Sequence, residues 1–564
     1  MKLSEIPYER PDLEQLQTKY KSLQIRFTEA KLPTDQISVL EEWNDLRIDL
    51  ATLSNLVYIR FSQNITDEWA KTEKDFFDQN GPTIHEWNIQ LIKEIVKSPF
   101  VEDIKKQWGE LFVEKLEMSL QTFIPEIKEE LIEESKLTQR YAEIFASAKI
   151  EFDGETYNLS SLEPKVLSTD RSTRKRAQQT RLGFIGSHAE ELDSLYQDLV
   201  KTRTSAAKKL GFNSYTELAY KELGRTEYNP EMIAGFRDQI SRVVVPLVHE
   251  FKKDQSSRLG LDTLMFFDEG LLFADGNPNP QGEPDWIVDQ ASVMYKELSP
   301  ITDTFFSMMR ENEILDLVTR PNKSVGGYCS SFPKYGIPFI FSNFNGTTHD
   351  VEVLTHEAGH ALQNYLSSKH KPLEYRWPSY EAAEIHSMSM EYITWPWMKN
   401  FFGDQTNKFK YAHLVKSIQF LPYACAVDEF QHWVYDNPNA QPKERLEFWK
   451  TMEKKYLPWR TYEDMPEGSE GRVWQFQSHI YRTPFYYIDY ALAQICALQF
   501  WVKSRENKEE AMKDYLHICE IGGSKTFLDI VKSGNLQSPF ASNTIQDIIQ
   551  VAREWITEHT PQFS

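Results

Sequence analysis

The chain has 564 residues and a net charge of −21, with 84 acidic side chains against 63 basic ones. A field of that sign repels polyanions, so nucleic acid and anionic membrane surfaces are not expected partners. Hydrophobic residues make up 40% and aromatics 13%, a globular composition that can enclose a large core and, by length, more than one domain.

The N-terminus, MKLSEIPYERPDLEQLQ, has no apolar h-region. No secretory leader is expected, and a cytoplasmic location follows. Apolar residues at three- and four-residue spacing predict helices over 10–30, 37–65, 84–100 and 127–150. Asp153-Gly154 marks a short hairpin within 150–162. A loop-rich stretch, 160–173, divides an N-terminal helical region (1–165) from the remainder (166–564). The stretch 274–284 is a turn cluster inside a domain. Glycine, aromatic and β-branched residues over 324–347 predict two short strands, and the alternation in IPFIFSNFNGT (337–347) suggests that its edge is exposed to pair with an extended peptide.

DVEVLTHEAGHALQNYL (350–366) follows as an amphipathic helix, with Thr347 and Asp350 at capping-box spacing. His356 and His360 share one face, four residues apart, and Glu357 sits at its rim. This is H-E-x-x-H spacing, in which two imidazoles bind zinc and the glutamate is the general base. Gly359 in mid-helix costs roughly 1 kcal/mol relative to alanine and needs a reason. Gln363 and Leu366 stand where a third histidine pattern would need Gly and His, so the third ligand should be an acid on a later helix. SYEAAEIHSMSMEYITW (379–395) offers Glu381, Glu384 and Glu391 on one stripe. Carboxylates there are costly unless paired or metal-bound. Glu384 is the expected ligand and Glu391 the residue that orients a histidine. Helix-dipole placement alone would account for Glu381.

Further on, 467–490 sets glycines before His479 and the tyrosines Tyr481, Tyr486, Tyr487 and Tyr490. The apolar run 485–502 is interrupted by Asp489, Gln494 and Gln499, so it predicts a buried helix and no membrane span. Cys329, Cys425, Cys496 and Cys519 are scattered without a C-x-x-C pair, so neither a disulfide framework nor a cysteine zinc site is expected.

HEAGH (356–360) followed by EAAEIHSMSMEY (381–392), with KSVGGYCSSF (323–332) upstream and HIYRTPFYYIDYALAQ (479–494) downstream, resembles the thimet oligopeptidase superfamily, in particular its oligoendopeptidase F and Pz-peptidase branch. The likeness is good over 165–564 and looser before it. It implies a mainly α fold of zincin-like, neurolysin-like type: a large helical body with a deep central cleft and a small β-sheet beside the H-E-x-x-H helix. It implies one Zn2+ per chain on His356, His360 and Glu384, with Glu357 as base. His479, Tyr487 and Tyr490 would face the scissile carbonyl, a phenol or imidazolium taking the oxyanion's charge. The spacing from His479 to the tyrosines is one residue shorter than in the mammalian branch, which leaves Tyr486 and Tyr481 as substitutes. The activity implied is an intracellular zinc metalloendopeptidase for short unfolded oligopeptides, with collagen-derived Pro/Gly peptides among its substrates; the oligomeric state is open. Two other readings stand beside it: a peptide-binding protein without chemistry, and a di-iron carboxylate bundle built on two E-x-x-H pairs, Glu357/His360 and Glu429/His432.

Overall fold

The amphipathic periods become helix along most of the chain in the computed structural model, which describes residues 2–563. α1 (Leu13–Glu29) starts where the Asp12 carboxylate accepts the N–H groups of Glu14 and Gln15, two of the donors that a helix start leaves unpaired. α2 (Pro33–Gln63) begins on Pro33, whose fixed φ suits a first turn. α3 (Glu68–Val96) begins on an Asp67 cap. These three pack on one another and, with α4 (Lys128–Ala146), bury Phe27, Leu40, Trp43, Leu91 and Tyr141. Large apolar side chains enclosed in this way contribute roughly 1.5–3 kcal/mol each.

The predicted hairpin forms from β1 (Ile150–Phe152) and β2 (Glu155–Tyr157). Its two turn residues, Asp153 (φ 50°) and Gly154 (φ 84°), both have positive φ, as a two-residue primed turn requires. α5 (Pro230–Arg258) then crosses the later helices.

Three strands precede the histidine helix: β3 (Leu315–Val318), β4 (Tyr328–Phe332) and β5 (Ile337–Phe344). The order is β3-β5-β4, with β3 parallel and β4 antiparallel to β5. The expected exposed edge at 337–347 is therefore corrected. β5 is the central strand, because its run Pro338–Ser342 is buried throughout; β3 and β4 are the edges. Lys323, 2% exposed, ties the sheet together by donating to the carbonyls of Asp316, Val318 and Ser342 and to the Asp316 carboxylate.

The core of the C-terminal half is built from α6 (His349–Ser367), α7 (Tyr380–Ile393), α8 (Thr406–Asp436) and α9 (Tyr487–Glu506). α7 is wedged between α6 and α9, and α6 also lies on β5. The α6 start is not a capping box. Thr348 is the N-cap and makes no side-chain cap bond. The Asp350 carboxylate instead accepts the N–H groups of Asn345 and Gly346, at 2.9 and 2.8 Å, so it holds the preceding loop. The interruptions in the run 485–502 are explained by pairing: Asp489, fully buried, meets Arg225 at 2.6 Å. Among the described residues no helix is long and apolar enough to cross a membrane.

Candidate active site

Gly359 is where α6 and α7 come closest. A Cβ there would lie 2.5 Å from the His386 carbonyl oxygen and 2.7 Å from Ser387 Cα. Without a Cβ the two backbones can meet, which is the reason for a glycine in mid-helix. The approach sets His356 and His360 against Glu384: each histidine Nε2 faces Glu384 Oε2, at 3.2 and 3.3 Å. The donor atoms of these three residues lie within 4.8 Å of one another. A tetrahedral zinc ion with bonds of about 2.0–2.1 Å has ligand–ligand edges of roughly 3.3–3.4 Å. The two measured edges match, and two imidazoles with one carboxylate are a zinc-type donor set. Glu381, one turn earlier, does not belong to the group. It sits near Arg225, and burial, partly offset by that guanidinium, pushes it up to about 7.

Glu384 and His356 are held from behind, whereas His360 Nδ1 has no partner among the described residues. Ser387 Oγ donates to Glu384 Oε2 at 2.7 Å, and the Tyr486 hydroxyl donates to Glu384 Oε1. Burial alone would raise the Glu384 carboxyl, but His360 and His356 outweigh it and hold it well below the usual range. His356 Nδ1 bonds Glu391 Oε1 at 2.7 Å, as expected for that glutamate. The other oxygen of Glu391 takes His413 Nε2 at 2.6 Å, and the Trp395 indole donates to His413 Nδ1 at 3.0 Å. An indole can only donate. The proton of His413 therefore sits on Nε2, Glu391 receives it, and Glu391 takes the Nδ1 proton of His356. His356 Nε2 is thereby left as a bare lone pair on the side that faces Glu384.

Glu357 is 4% exposed, and its Oε2 has no partner among the described residues. Burial raises its pKa, with His356 and His360 opposing, which suits a group that must take up a proton. Gly327, just before β4, faces it: a Cβ there would lie 2.8 Å from Val353 Cγ2 and 3.3 Å from Glu357 Oε1.

His479 and the tyrosines come to the same place from more than 100 residues away. His479 Nε2 bonds the Tyr490 hydroxyl at 3.2 Å. Rings of Tyr486, the N-cap of α9, and Tyr490 in its first turn lie 5.1 Å from each other. Tyr487 packs on the other side, 5.0 Å from His479 and 5.5 Å from Phe420. Burial pushes His479 down to about 4 and the Tyr490 phenol well up. The expected imidazolium is thus corrected to a neutral imidazole, because this ring lies too deep to hold a charge near pH 7. Tyr481 is core: it stacks on Tyr141 and Trp474. Sequence reasoning passed over Ser387, Trp395, His413 and Gly327. A lone histidine or tryptophan in a long helix carries no spacing signal.

A groove walled by Asn55, Cys329, Ser331, Asn364, Arg376 and Trp377 follows the β4 edge. Its Trp377 ring lies 5.7 Å from the His360 ring.

Residues 3–123 match the Peptidase M3 N-terminal domain, and residues 288–548 match Peptidase family M3. Oligopeptidase PepF of Bacillus subtilis (strain 168) is 22% identical over 355 residues, 61% of this chain and 49% of that protein. The chain thus spans about half the length of the curated relatives it matches. Solved structures align more fully. Pz peptidase A with inhibitor 2 superposes with a TM-score of 0.98 at 46% identity, covering 99% of both chains. A putative oligoendopeptidase F from Bacillus anthracis str. Ames gives 0.93 at 44%, covering 99% of this chain and 98% of that one.

Proposed function

Because this chain belongs to peptidase family M3, in the oligoendopeptidase F and Pz-peptidase branch, we propose that it is a zinc endopeptidase that cuts internal bonds of short, unfolded oligopeptides. The observation that carries this reading is the convergence of His356, His360 and Glu384 beside a buried, partly unpartnered Glu357. His356, His360 and Glu384 hold one Zn2+, which when bound supplies Lewis acidity and makes water acidic enough to attack near neutral pH. Glu357 takes the proton of the attacking water and passes it to the leaving amine. Tyr490, with His479 bonded to it and Tyr487 walling the pocket, donates to the oxygen on which charge develops. The peptide lies extended along the β4 edge, adding a strand; Gly327 lets that edge pack closely on Val353 and Glu357.

A size limit is part of this reading, with the groove along β4 as the candidate seat for an extended peptide, and the four free thiols suit a reducing, intracellular compartment. The test is a ladder of peptides of roughly 5 to 20 residues alongside a stably folded protein. Pro/Gly-rich collagen fragments belong in the first library. Internal cleavage of the peptides, abolished by chelation and restored by zinc, is expected, with the folded protein intact. Rapid digestion of the folded protein would rule out an enclosed groove, and no turnover by the zinc-loaded chain would rule out the activity.

A further inference from the structure

Tyr490 can stabilise an oxyanion only if its own proton is free to point at substrate. Three groups could claim that proton or the phenol's lone pairs: Tyr486, His479, and whatever sets the proton on His479. Tyr486 gives its own proton to Glu384, and its hydroxyl is also a hydrogen-bond neighbour of Tyr490, so its oxygen is the one acceptor that substrate has to displace. His479 is neutral and has one proton, so its direction is decided at Nδ1. There Gln477 Nε2 lies 2.7 Å away. In the structure the Tyr423 hydroxyl donates to the Gln477 Oε1 at 3.2 Å, with the amide nitrogen on the His479 side. An amide nitrogen donates and cannot accept. His479 Nδ1 must therefore be the bare nitrogen, Nε2 carries the proton, and that proton goes to the Tyr490 oxygen. Tyr490 accepts from His479, so the histidine does not consume its O–H, and substrate competes for that proton only with the Tyr486 oxygen. The reversed amide would have the opposite result: Nδ1 protonated, Nε2 an acceptor, and the Tyr490 proton consumed by the histidine.

The frame around Gln477 is stiff. Its backbone N–H donates to the Trp474 carbonyl at 2.8 Å, and its carbonyl accepts from Ile480 N–H at 3.0 Å. Tyr423 projects from α8 one residue after Pro422, and its ring lies 5.8 Å from Tyr487. Three separate segments of the chain thus meet in one chain of donors.

We propose that Gln477, held by Tyr423, is a positioning residue that sets the tautomer of His479 and so reserves the Tyr490 proton for the oxyanion. The inference rests on the peptidase reading, and its test is separable from that reading. The full zinc-loaded chain is assayed on a quenched-fluorescent peptide. A wild-type chain with no turnover overturns the peptidase reading itself. With wild-type turnover in hand, Gln477→Leu should lower kcat about 10-fold, less than outright loss of an oxyanion donor, with KM and metal content unchanged. Tyr423→Phe should lower kcat in the same way by roughly 2- to 3-fold. In a Tyr490→Phe background both substitutions should have no further effect, because the proton they direct is gone. A structural role would not produce that dependence. The proposal is overturned if Gln477→Leu leaves kcat unchanged, or if its loss is the same with and without the Tyr490 hydroxyl. Should Gln477→Leu fail to fold, Tyr423→Phe in the two backgrounds decides alone.

Discussion

The chain spells E-x-x-H twice, and the two copies have opposite fates. On α8, Glu429 is consumed by its surroundings: Lys455 Nζ reaches both its oxygens at 3.0 and 2.7 Å, and the Tyr456 hydroxyl donates to one at 2.5 Å. His432 faces the Tyr220 hydroxyl at 3.2 Å and Asp428 at 3.6 Å, and Asp428 is already paired with Arg237 of α5. On α6, Glu357 Oε2 and His360 Nδ1 have no partner among the described residues, while the histidine Nε2 atoms converge on a carboxylate from another helix. A di-iron bundle would need both pairs to face one another across the core. The second pair is instead a set of internal ion pairs and hydrogen bonds. Spelling places the same groups on a helix face, but whether they can take a ligand depends on what the rest of the fold leaves unsatisfied.

The comparison is broken most severely at Glu384. Glu384→Ala should lose stoichiometric zinc on dialysis and all measurable hydrolysis, whereas Glu429→Ala should keep one zinc per chain. Elemental analysis of both variants checks this, and a Glu384→Ala protein that retains its zinc would mean that another carboxylate is the ligand. Next in size is Glu357→Gln, which should keep zinc and lower kcat by about 10²–10⁴, the usual worth of a general base. Tyr490→Phe should follow at roughly 10²–10³ in kcat with little change in KM. Its neighbour sharpens the point: Tyr486→Phe loses a bond to Glu384 and His413→Phe loses one to Glu391 behind His356, so each should weaken zinc affinity by about 10- to 100-fold, read by competition with a chelating dye. The smallest effect belongs to the second pair. Glu429→Gln should cost about 1–2 kcal/mol in denaturant unfolding, because its ion pair is only partly buried, and zinc content should not move.

Much of the catalytic half was legible beforehand. The histidine helix, the helix bearing Glu384, the hairpin at Asp153-Gly154 and the buried helix at 485–502 all follow from local periods and spacing. Glu391 was legible too, because a carboxylate on an apolar stripe needs a partner. The strand edge was misread because a fully buried central strand and a half-exposed one differ in what covers them, and alternation over a few residues does not record that. β3 was missed for a related reason. It pairs in parallel with β5, which follows it in the chain only after β4, a non-local contact with no local signature.

What the sequence by itself determined is the chemistry available: two imidazoles and a carboxylate at one-turn spacing, a second helix with acids on its apolar stripe, and a distant cluster of phenols beside a histidine. These are one-dimensional facts, since helical geometry turns spacing of three and four residues into a shared face. The tertiary structure decided which of these groups meet and in what protonation state. The close approach at Gly359 brings Glu384 to the histidines. The Trp395–His413–Glu391 line turns His356 outward. Burial holds His479 neutral, and the fold sets Tyr486 on Glu384 and Tyr490 against His479. Each of these depends on atoms far apart in the chain and on water being excluded from between them, and only the folded chain brings that about.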